Sequence, residues 1–375
     1  MATTLGNATS ADAQIDIRQD VTSDRSSMSQ PSTPTLVPES TDSECLIVGD
    51  EENVQHFSGS PQVLKLETLM STNETCPVKG TVIREYEIQG IVSNKGRNGI
   101  VLSCIDYSNR LYAMKVENRC DSMKLDNTAL SQIHSFNQQA SELYIPQLRD
   151  GFREQSRRVV VMELLGPDVA TLHKAMDQKP MSMKTTMQIA LSALTAYEQI
   201  HKAGWLHLTT KPINFCVGGT IDTCHKIYAI DFGRAQRYRV GARHRPKSPF
   251  YEYYGKDFSS LWSDRCTPSR RDDIMSLALM LIYLFSSSMP WQNDSLLGYI
   301  SYLQAKKKFD NGKLNLYEKL LIYSSLLSYE EEPAYEEWRI YIRKKAVMEH
   351  IELDGKFDWD DRLHQDETRR IVLKE

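Results

Sequence analysis

The sequence predicts an α+β protein with a small β-rich lobe, a larger helical lobe and a disordered N-terminal tail. Residues 83–118 alternate β-branched or aromatic residues with polar ones, and turn residues separate the runs, which is typical of strands. Residues 185–203 have the apolar spacing of an amphipathic helix, and the apolar run 274–285 fits a buried helix. Residues 1–56 contain no Phe, Tyr or Trp. A chain of 375 residues is long enough for a two-lobed domain and a tail.

The first 56 residues are predicted to be disordered. They are dense in Ser, Thr, Asp and Pro, and residues 1–60 carry ten Asp and Glu against two Arg. Such a segment cannot bury enough apolar area to offset the entropy that is lost on ordering. Because the whole chain has a net charge of −4, this acidic tail precedes a mildly basic body. We expect that deletion of residues 1–56 leaves the melting temperature nearly unchanged, whereas a drop of several degrees would show that the tail packs on the body.

Composition limits the compartment and the class of partner. Seven cysteines are scattered along the chain without C-x-x-C spacing, which indicates reduced thiols and neither a disulfide framework nor a zinc site. The N-terminus has no basic-then-apolar signal pattern, and the apolar run 274–285 is too short to span a bilayer. Neither the tail nor the body is basic enough to indicate nucleic acid. We therefore expect a cytoplasmic or nuclear protein without nucleic-acid or membrane partners.

Two polar motifs lie within residues 205–238, and each follows an apolar segment. In the second motif Asp231 follows the strand-like run 227–230, and a carboxylate there suits Mg²⁺, which prefers carboxylate and phosphate oxygens. The first motif, residues 207–214, reads HLTTKPIN. It has the spacing H-R-D-x-K-P-x-N and resembles the catalytic loop of protein kinases. Thr209 stands where that pattern has its catalytic Asp.

Further motifs lie in the predicted strands. Residues 94–101 read N-x-G-x-x-G-x-V and resemble the glycine-rich loop that covers ATP phosphates, with Asn94 in place of the first glycine. Asn tolerates positive φ better than most residues, although a plain hairpin is the alternative. Residues 112–117 resemble the kinase strand whose Lys binds the α- and β-phosphates. Lys115 lies there among apolar residues, and it needs an anion because a buried unpaired Lys is costly.

The helix that follows this strand lacks an expected acid. In kinases a Glu on this helix orients the phosphate-binding Lys. In residues 122–136 its position falls near Asn127 or Thr128, and neither is acidic. Asp126 is one residue away, but one step rotates a side chain by about 100° around a helix. We therefore expect the ion pair that would position Lys115 to be missing.

Motifs near the C-terminus narrow the resemblance. These are SRRDD at 269–273 before an apolar helix, MPW at 289–291, EEEPAYEEWRIYI at 330–342 and FDW at 357–359. Their order and spacing resemble the casein kinase 1 group of protein kinases, including its tau-tubulin kinase relatives. The resemblance covers about residues 83–362. It implies the two-lobed protein kinase fold, with an N-lobe over about 83–163 and a C-lobe over about 166–362.

The resemblance also implies ATP and Mg²⁺ as cofactors and gives single residues their roles. Asp273 would brace the catalytic loop, and His207 would serve packing. Lys211 would contact the transferred phosphate. The glycine-rich loop with Asn94, Gly96, Gly99 and Val101 would cover the nucleotide, and Lys115 would anchor its phosphates. The backbone of Leu164 and Leu165 would lie beside the adenine. Asn214 and Asp231 would face the metal.

This sequence departs from the kinase pattern at Thr209, at Leu208 in place of the preceding Arg, at Asn94 and at the missing helix Glu. Thr has no group that titrates near neutral pH, so Thr209 cannot accept the proton of a substrate hydroxyl. A positioned general base is worth about 10²–10⁴-fold in rate. The sequence therefore predicts a pseudokinase that binds Mg-ATP weakly and acts as a binding or scaffold module. Two alternatives stay open: an active serine/threonine kinase for acidic or primed substrates, and a structural module with an empty cleft.

The segment after Gly233 is rich in Arg and Lys over residues 234–258. Such a segment favours acidic or phosphorylated segments of protein partners, because Arg pairs well with carboxylates and phosphates. A solvated basic loop is the alternative. The oligomeric state is not predicted by any feature of the sequence.

Overall fold

A computed structural model of the chain describes residues 79–96, 99–117, 125–154, 157–249, 257–292, 295–309 and 314–360. The predicted tail, residues 1–56, and the last two residues of the predicted 83–362 domain lie outside these ranges. The first part of the described chain is an antiparallel sheet of six strands, namely β1 Val82–Ile83, β2 Tyr86–Gly96, β3 Gly99–Ile105, β4 Leu111–Glu117, β5 Leu148–Glu154 and β6 Arg157–Glu163. In the sheet these strands have the order β1-β2-β3-β4-β6-β5. One helix, α1 Leu125–Phe136, lies between β4 and β5 in the chain.

Strand β4 has one face in the core of the sheet and one face available to the site. Met114 and Val116 are fully buried in an apolar cluster with Ile88 and Leu102. Because successive side chains of a strand point to opposite faces, Lys115 lies on the other face from Met114 and Val116. The pattern of β4 therefore fixes the direction of the Lys115 side chain.

The second part of the described chain is mainly helical. Its helices are α2 Val169–Ala175, α3 Met183–Lys202, α4 Arg270–Ser286, α5 Leu296–Phe309, α6 Leu316–Leu326 and α7 Tyr335–Met348. Short strands form three two-stranded ribbons, namely β7 Trp205–Leu206 with β10 Gln236–Arg237, β8 Phe215–Val217 with β9 Ile227–Ala229, and β11 Arg239–Val240 with β12 Arg243–His244. After its charged first turn, helix α4 is almost entirely apolar and packs against α3 and α6, as expected of a helix in the centre of a core.

These elements confirm the predicted fold class, in which a β-rich part precedes a helical part. The helix predicted over 185–203 begins two residues earlier, and it ends before Gly204, whose φ is 85°. The apolar run 274–285 lies within α4. The two strands on either side of the glycine-containing turn are β2 and β3. The predicted strand that leads into residues 164 and 165 ends at Glu163.

The C-terminal end of the described chain returns to the start of α3. Phe357 and Trp359 are buried and stacked, with ring centroids 4.6 Å apart. Between them Asp358 accepts hydrogen bonds from the backbone N–H and the hydroxyl of Ser182, at 2.7 and 2.5 Å. Residues 351–360, which we call the C-terminal strap, thus hold the N-terminus of α3.

The helices and cysteines of the described ranges relate to the predictions about membrane spans and thiols. None of the helices in the described ranges is long and apolar enough to cross a membrane. The four cysteines that lie in these ranges are free, namely Cys104, Cys216, Cys224 and Cys266. The other three cysteines of the sequence lie outside them.

Candidate functional site

The β8–β9 ribbon brings Asn214 and Asp231 to the same end. Phe215 of β8 pairs with Ala229 of β9, so the residue before β8 lies next to the residues after β9. The backbone N–H of Ile230 donates to the carbonyl oxygen of Asn214 at 2.9 Å, which continues this pairing. The two residues predicted from the motifs to face a metal therefore lie close together, although 16 residues separate them in the sequence.

Lys115 and Asp231 join the sheet to this ribbon. Lys115 Nζ lies 3.0 Å from Asp231 Oδ1, and the side chains are 13% and 31% exposed. Burial raises the pKa of the Asp231 carboxyl, but the charge and hydrogen bond of Lys115 outweigh burial and hold this pKa below its usual value. Asp231 is therefore ionised at neutral pH and retains accessible surface, as a metal ligand requires.

The backbone of Asp231 has a left-handed conformation, with φ of 66°. A residue other than Gly adopts it at a cost, and it persists where the surroundings fix it. Here the ring of His207 donates from Nε2 to the carbonyl oxygen of Ile230 at 2.8 Å. On the other side the N–H of Gly233 lies 3.4 Å from Asp231 Oδ1. His207 also packs edge-on against Phe232 at 5.2 Å, which is the packing role that the resemblance implied.

Thr209 is half-buried beside Asp231. Its hydroxyl donates to the backbone carbonyl oxygen of Asp231 at 3.0 Å and lies 3.4 Å from His207 Nδ1. At the position of the kinase base the chain therefore has a hydrogen-bond donor that is engaged within the protein. The sequence predicted that Thr209 is no base, but it did not predict this hydrogen bond.

Asn214 is buried, and its side-chain Nδ2 donates to the backbone carbonyl oxygen of Thr209 at 2.7 Å. This bond closes the loop that begins at His207 and leaves the amide oxygen of Asn214 as an acceptor. Lys211 lies at the exposed side of the same loop. Its contact with a transferred phosphate stays a prediction.

Asp273 braces this loop from the first turn of α4. It is buried, and its carboxylate accepts from the backbone N–H groups of His207 and Leu208, both at 2.8 Å. His201 Nε2 donates to the same carboxylate at 2.9 Å. Burial raises the pKa of Asp273, but its interactions with His201 and His207, including the hydrogen bonds from the His201 ring and the His207 backbone N–H, outweigh burial, so the net shift is downward. An ionised Asp273 thus fixes the loop.

His201 is a supporting residue that sequence reasoning missed. Burial lowers its pKa, and this effect outweighs the opposing influence of Asp273. The neutral ring donates from Nε2 to Asp273, and its Nδ1 accepts from the hydroxyl of Tyr335 at 2.5 Å. The position of His201 at the end of an amphipathic helix, shortly before the catalytic-loop motif, is the signal that could have identified it.

The predicted glycine-rich loop lies where β2 and β3 meet. Gly96 pairs with Gly99 across residues 97 and 98, which lie outside the described ranges, as does the side chain of Asn94. Val101 of β3 pairs directly with Lys115 of β4. The turn therefore joins two strands of which one, β3, is the direct neighbour of the strand that carries Lys115.

The helix that should supply the acid for Lys115 is α1. The side-chain amide of Asn127 lies against Gly151. The contact is so close that a Cβ added to Gly151 would be 2.0 Å from Asn127 Nδ2. Thr128 is exposed. The side chain of Asp126 lies outside the described residues, so the absence of this ion pair stays a prediction.

The segment after β6 offers backbone groups to a ligand. The carbonyl oxygen of Leu164 faces Gly219, where an added Cβ would lie 2.1 Å from it. Gly166 N–H donates to Val217 at 2.9 Å. In the described ranges the N–H and C=O of Leu165 have no hydrogen-bond partner. The N–H of Leu165 is a donor and its C=O is an acceptor. This pair matches an adenine edge, which presents one acceptor and one donor.

These residues fit a magnesium nucleotide. Within the described ranges no group of three or more His, Cys, Asp or Glu side chains is arranged to hold a metal. The Asn214 and Asp231 pair would leave most positions of a metal to phosphate oxygens and water, which is how Mg²⁺ usually binds in nucleotide sites. Lys115 supplies a cation beside them and Leu165 supplies the backbone edge.

One family model matches this chain, and its description is protein kinase domain. The match spans residues 92–320, which is more than half of the 375-residue chain. It begins within β2 and ends within α6, so it includes Lys115, Thr209 and Asp231.

Proposed function

The chain belongs to the protein kinase domain family, and we propose that it is a pseudokinase of the casein kinase 1 group that binds Mg-ATP without transferring its phosphate. The observation that carries the proposal is the arrangement around Asp231. Its carboxylate pairs with Lys115 at 3.0 Å, while its backbone carbonyl receives the hydroxyl of Thr209, the residue at the base position. The groups that bind a nucleotide are present, and the group that would use it is replaced.

Nucleotide binding rests on four groups. Asp231 and Asn214 would hold the metal, Lys115 would meet phosphate oxygens, and the free backbone groups of Leu165 would meet the adenine edge. Bound Mg²⁺ would neutralise the charge of the phosphates. We expect binding to be weak, because Asn94 replaces a glycine and no Glu stands at position 127 or 128 of α1.

Phosphate transfer lacks a proton acceptor at residue 209. In this reaction a catalytic Asp orients the substrate hydroxyl and accepts its proton, while the metal and cations lower most of the barrier. Thr209 has no titrating group, and its hydroxyl already donates to Asp231. The loss of a positioned base costs about 10²–10⁴-fold in rate.

The remaining function is binding to a protein partner. The exposed side chains after Gly233 include Arg234, Arg237, Arg243, Arg245 and Lys247. They suit an acidic or phosphorylated segment, because guanidinium groups pair with phosphate through two parallel hydrogen bonds. A phosphoserine peptide should bind more tightly than its unphosphorylated form, and Arg243→Glu together with Arg245→Glu should remove that difference.

Thermal unfolding with and without Mg-ATP tests the cleft. A ligand at 100 times its dissociation constant stabilises a fold by about 2.7 kcal/mol. Millimolar Mg-ATP should therefore raise the melting temperature measurably if the dissociation constant is on the order of tens of micromolar. Asp231→Asn should remove the part of this shift that needs Mg²⁺, and Lys115→Met should weaken the rest.

Lys226→Met is a matched control for Lys115→Met. Lys226 is also 13% exposed and ion-paired, with Glu142 at 2.7 Å, but it is not one of the groups proposed to bind the nucleotide. The Lys226→Met substitution should lower the melting temperature of the protein without changing the shift that the nucleotide induces. Robust transfer by the unmodified protein that is lost in Asp231→Asn would show an active kinase. The absence of any nucleotide shift would show a structural module with an empty cleft.

A further inference from the structure

We infer that Thr209 is a positioning residue that holds both metal-facing residues, so that metal-dependent nucleotide binding requires a hydroxyl at the position where active kinases have an acid. This inference rests on the proposed binding of a magnesium nucleotide. It goes further, because it gives the replacing residue a role of its own. Thr209 is then more than the loss of a base.

Residue 209 is bonded to both members of the metal-facing pair. Its hydroxyl donates to the backbone carbonyl of Asp231 at 3.0 Å. Its own backbone carbonyl accepts from the side-chain amide of Asn214 at 2.7 Å. One bond fixes the backbone from which the Asp231 carboxylate projects, and the other fixes the rotation of the Asn214 amide. Both ligands are therefore bonded to one residue, and the bond to Asp231 is the one that needs the side-chain hydroxyl.

The bond to Asp231 acts where the backbone is held against its preference. Asp231 has φ of 66°, a conformation that costs free energy for any residue except Gly. The residue before it is fixed by His207 and by Asn214, at 2.8 and 2.9 Å. The carbonyl of Asp231 itself is fixed by Thr209. Loss of this bond would free the carbonyl to rotate and turn the carboxylate away from Asn214 and Lys115.

The surroundings of the hydroxyl favour a donor and disfavour an anion. Nε2 of His207 carries its proton, because it bonds a carbonyl oxygen, which can only accept. Nδ1 of the same ring lies 3.4 Å from the Thr209 hydroxyl. The nearer partner of this hydroxyl is the Asp231 carbonyl oxygen, which can only accept. A carboxylate at residue 209 could not donate to this oxygen, whereas a hydroxyl does.

Three substitutions at one pair of positions separate this role from ordinary packing. Thr209→Ser keeps the hydroxyl, and Thr209→Val keeps the shape but removes it. Thr210→Val is the matched control, because the hydroxyl of Thr210 is bonded to Tyr197 at 2.5 Å and does not touch Asp231. The same atom is removed from the same loop, and only its partner differs.

The first measurement is the dissociation constant of ATP with and without Mg²⁺, by calorimetric titration of each full-length variant. We expect Thr209→Val to weaken Mg-dependent binding about tenfold, or about 1.4 kcal/mol, because the Asp231 carboxylate is no longer held in the orientation that faces the metal. Thr209→Ser should stay within a factor of about two to three of the unmodified protein, on the same scale. Thr210→Val should lower the melting temperature and leave the ratio of the two constants unchanged. Equal constants for Thr209→Val and the unmodified protein would overturn the inference.

The second measurement uses no nucleotide and follows amide hydrogen exchange of residues 230–235. Thr209→Val should exchange faster there than the unmodified protein, and Thr210→Val and Thr209→Ser should not. If the unmodified protein binds no Mg-ATP, the proposed function fails, while faster exchange in Thr209→Val still supports the hold on Asp231. If Mg-ATP binds and exchange is the same in Thr209→Val, the inference fails and the proposed function stands.

Discussion

At the scale of single residues, position 209 cannot serve two purposes. A base needs an ionised side chain that faces the substrate, whereas the Asp231 carbonyl needs a donor. Thr meets the second need and fails the first.

Thr209→Asp should therefore not restore phosphate transfer. It supplies a base, but it removes the donor to Asp231 and places a charge beside the Asp231 carbonyl oxygen. We expect transfer to a casein-like acidic substrate to stay undetectable and the thermal shift with Mg-ATP to become smaller. Thr220→Asp, which makes the same change in an exposed turn, is the control and should leave the shift unchanged. Transfer by Thr209→Asp above the level of Thr220→Asp would contradict this account.

The residues of the site were predictable to different degrees. The resemblance of the motifs to those of protein kinases predicted that Lys115, Asn214 and Asp231 share one site. The direction of the Thr209 hydroxyl was not predictable. It depends on the backbone of Asp231, which lies 22 positions away in the chain.

At the scale of elements, the first turn of α4 supports the catalytic loop. Asp273 is buried and accepts three hydrogen bonds, two from backbone N–H groups of the loop and one from His201. Its neighbour Asp272 is also buried, but burial raises the pKa of Asp272 to about 6 despite a hydrogen bond from the Ser260 hydroxyl. The two adjacent carboxylates are thus opposite cases, one stabilised as an anion and one not.

Asp273→Asn should lower the free energy of unfolding by about 3 kcal/mol. The three N–H donors that now bond the carboxylate would remain, but the charge would be gone, and the amide NH₂ of Asn would face one of these donors. Urea denaturation at pH 7.5 measures this loss. Asp272→Asn is the matched control. It should cost clearly less, because burial already disfavours the charged form of Asp272. Equal losses for the two variants would contradict the brace.

The C-terminal strap is a second case of an element held by one side chain. Ser182 caps α3 by accepting from the N–H of Thr185 at 3.1 Å. Its hydroxyl proton goes to Asp358, which also accepts the Ser182 N–H. The sequence identified the FDW motif only as part of a resemblance. The contact of this motif with α3 joins Ser182 and Asp358, which are 176 positions apart. A contact between residues so far apart cannot be predicted from a local sequence pattern.

Asp358→Ala should lower the free energy of unfolding by about 1 kcal/mol, the usual effect of weakening a helix N-cap. Chemical denaturation measures it. Asp264→Ala is the control, because Asp264 is 61% exposed and pairs only loosely with Arg265 at 3.7 Å. An Asp358→Ala protein as stable as the Asp264→Ala protein would show that the strap does not stabilise α3.

At the scale of the whole molecule, three histidines link stability to pH. Burial lowers the pKa of His134, His173 and His201 below the usual value of 6.5. Below pH 6.5 the unfolded chain therefore binds protons that the folded chain rejects, and stability falls as the pH falls. Asp272 acts in the opposite direction, but only from about pH 6 downward, because its pKa is raised.

The melting temperature should therefore fall by a few degrees between pH 7.5 and pH 6.0, where the histidines act with little opposition from Asp272. Differential scanning calorimetry at the two pH values and constant ionic strength measures this change. A melting temperature that is equal or higher at pH 6.0 would contradict the burial of neutral histidines.

The order of β-rich and helical parts was predictable because strand alternation and helical spacing are local properties of the sequence. Residues 148–154, 169–175 and 316–326 were not assigned from the sequence, and they form β5, α2 and α6. Both helices do carry N-cap residues, since Asp168 precedes α2 and Asn315 forms a capping box with Glu318 at the start of α6, but neither segment has a strong period. They take their form from the sheet edge and from the helices against which they pack.

The central claim is that this cleft binds a nucleotide that the protein does not consume. Equilibrium dialysis against Mg-ATP labelled on the γ-phosphate, followed by separation of the bound label, tests both halves at once. We predict that the full-length protein retains intact ATP, that Asp231→Asn retains much less, and that neither protein nor an added acidic substrate becomes labelled. Labelled protein or substrate that disappears in Asp231→Asn would contradict the account, and so would retention of ATP that is equal in both proteins.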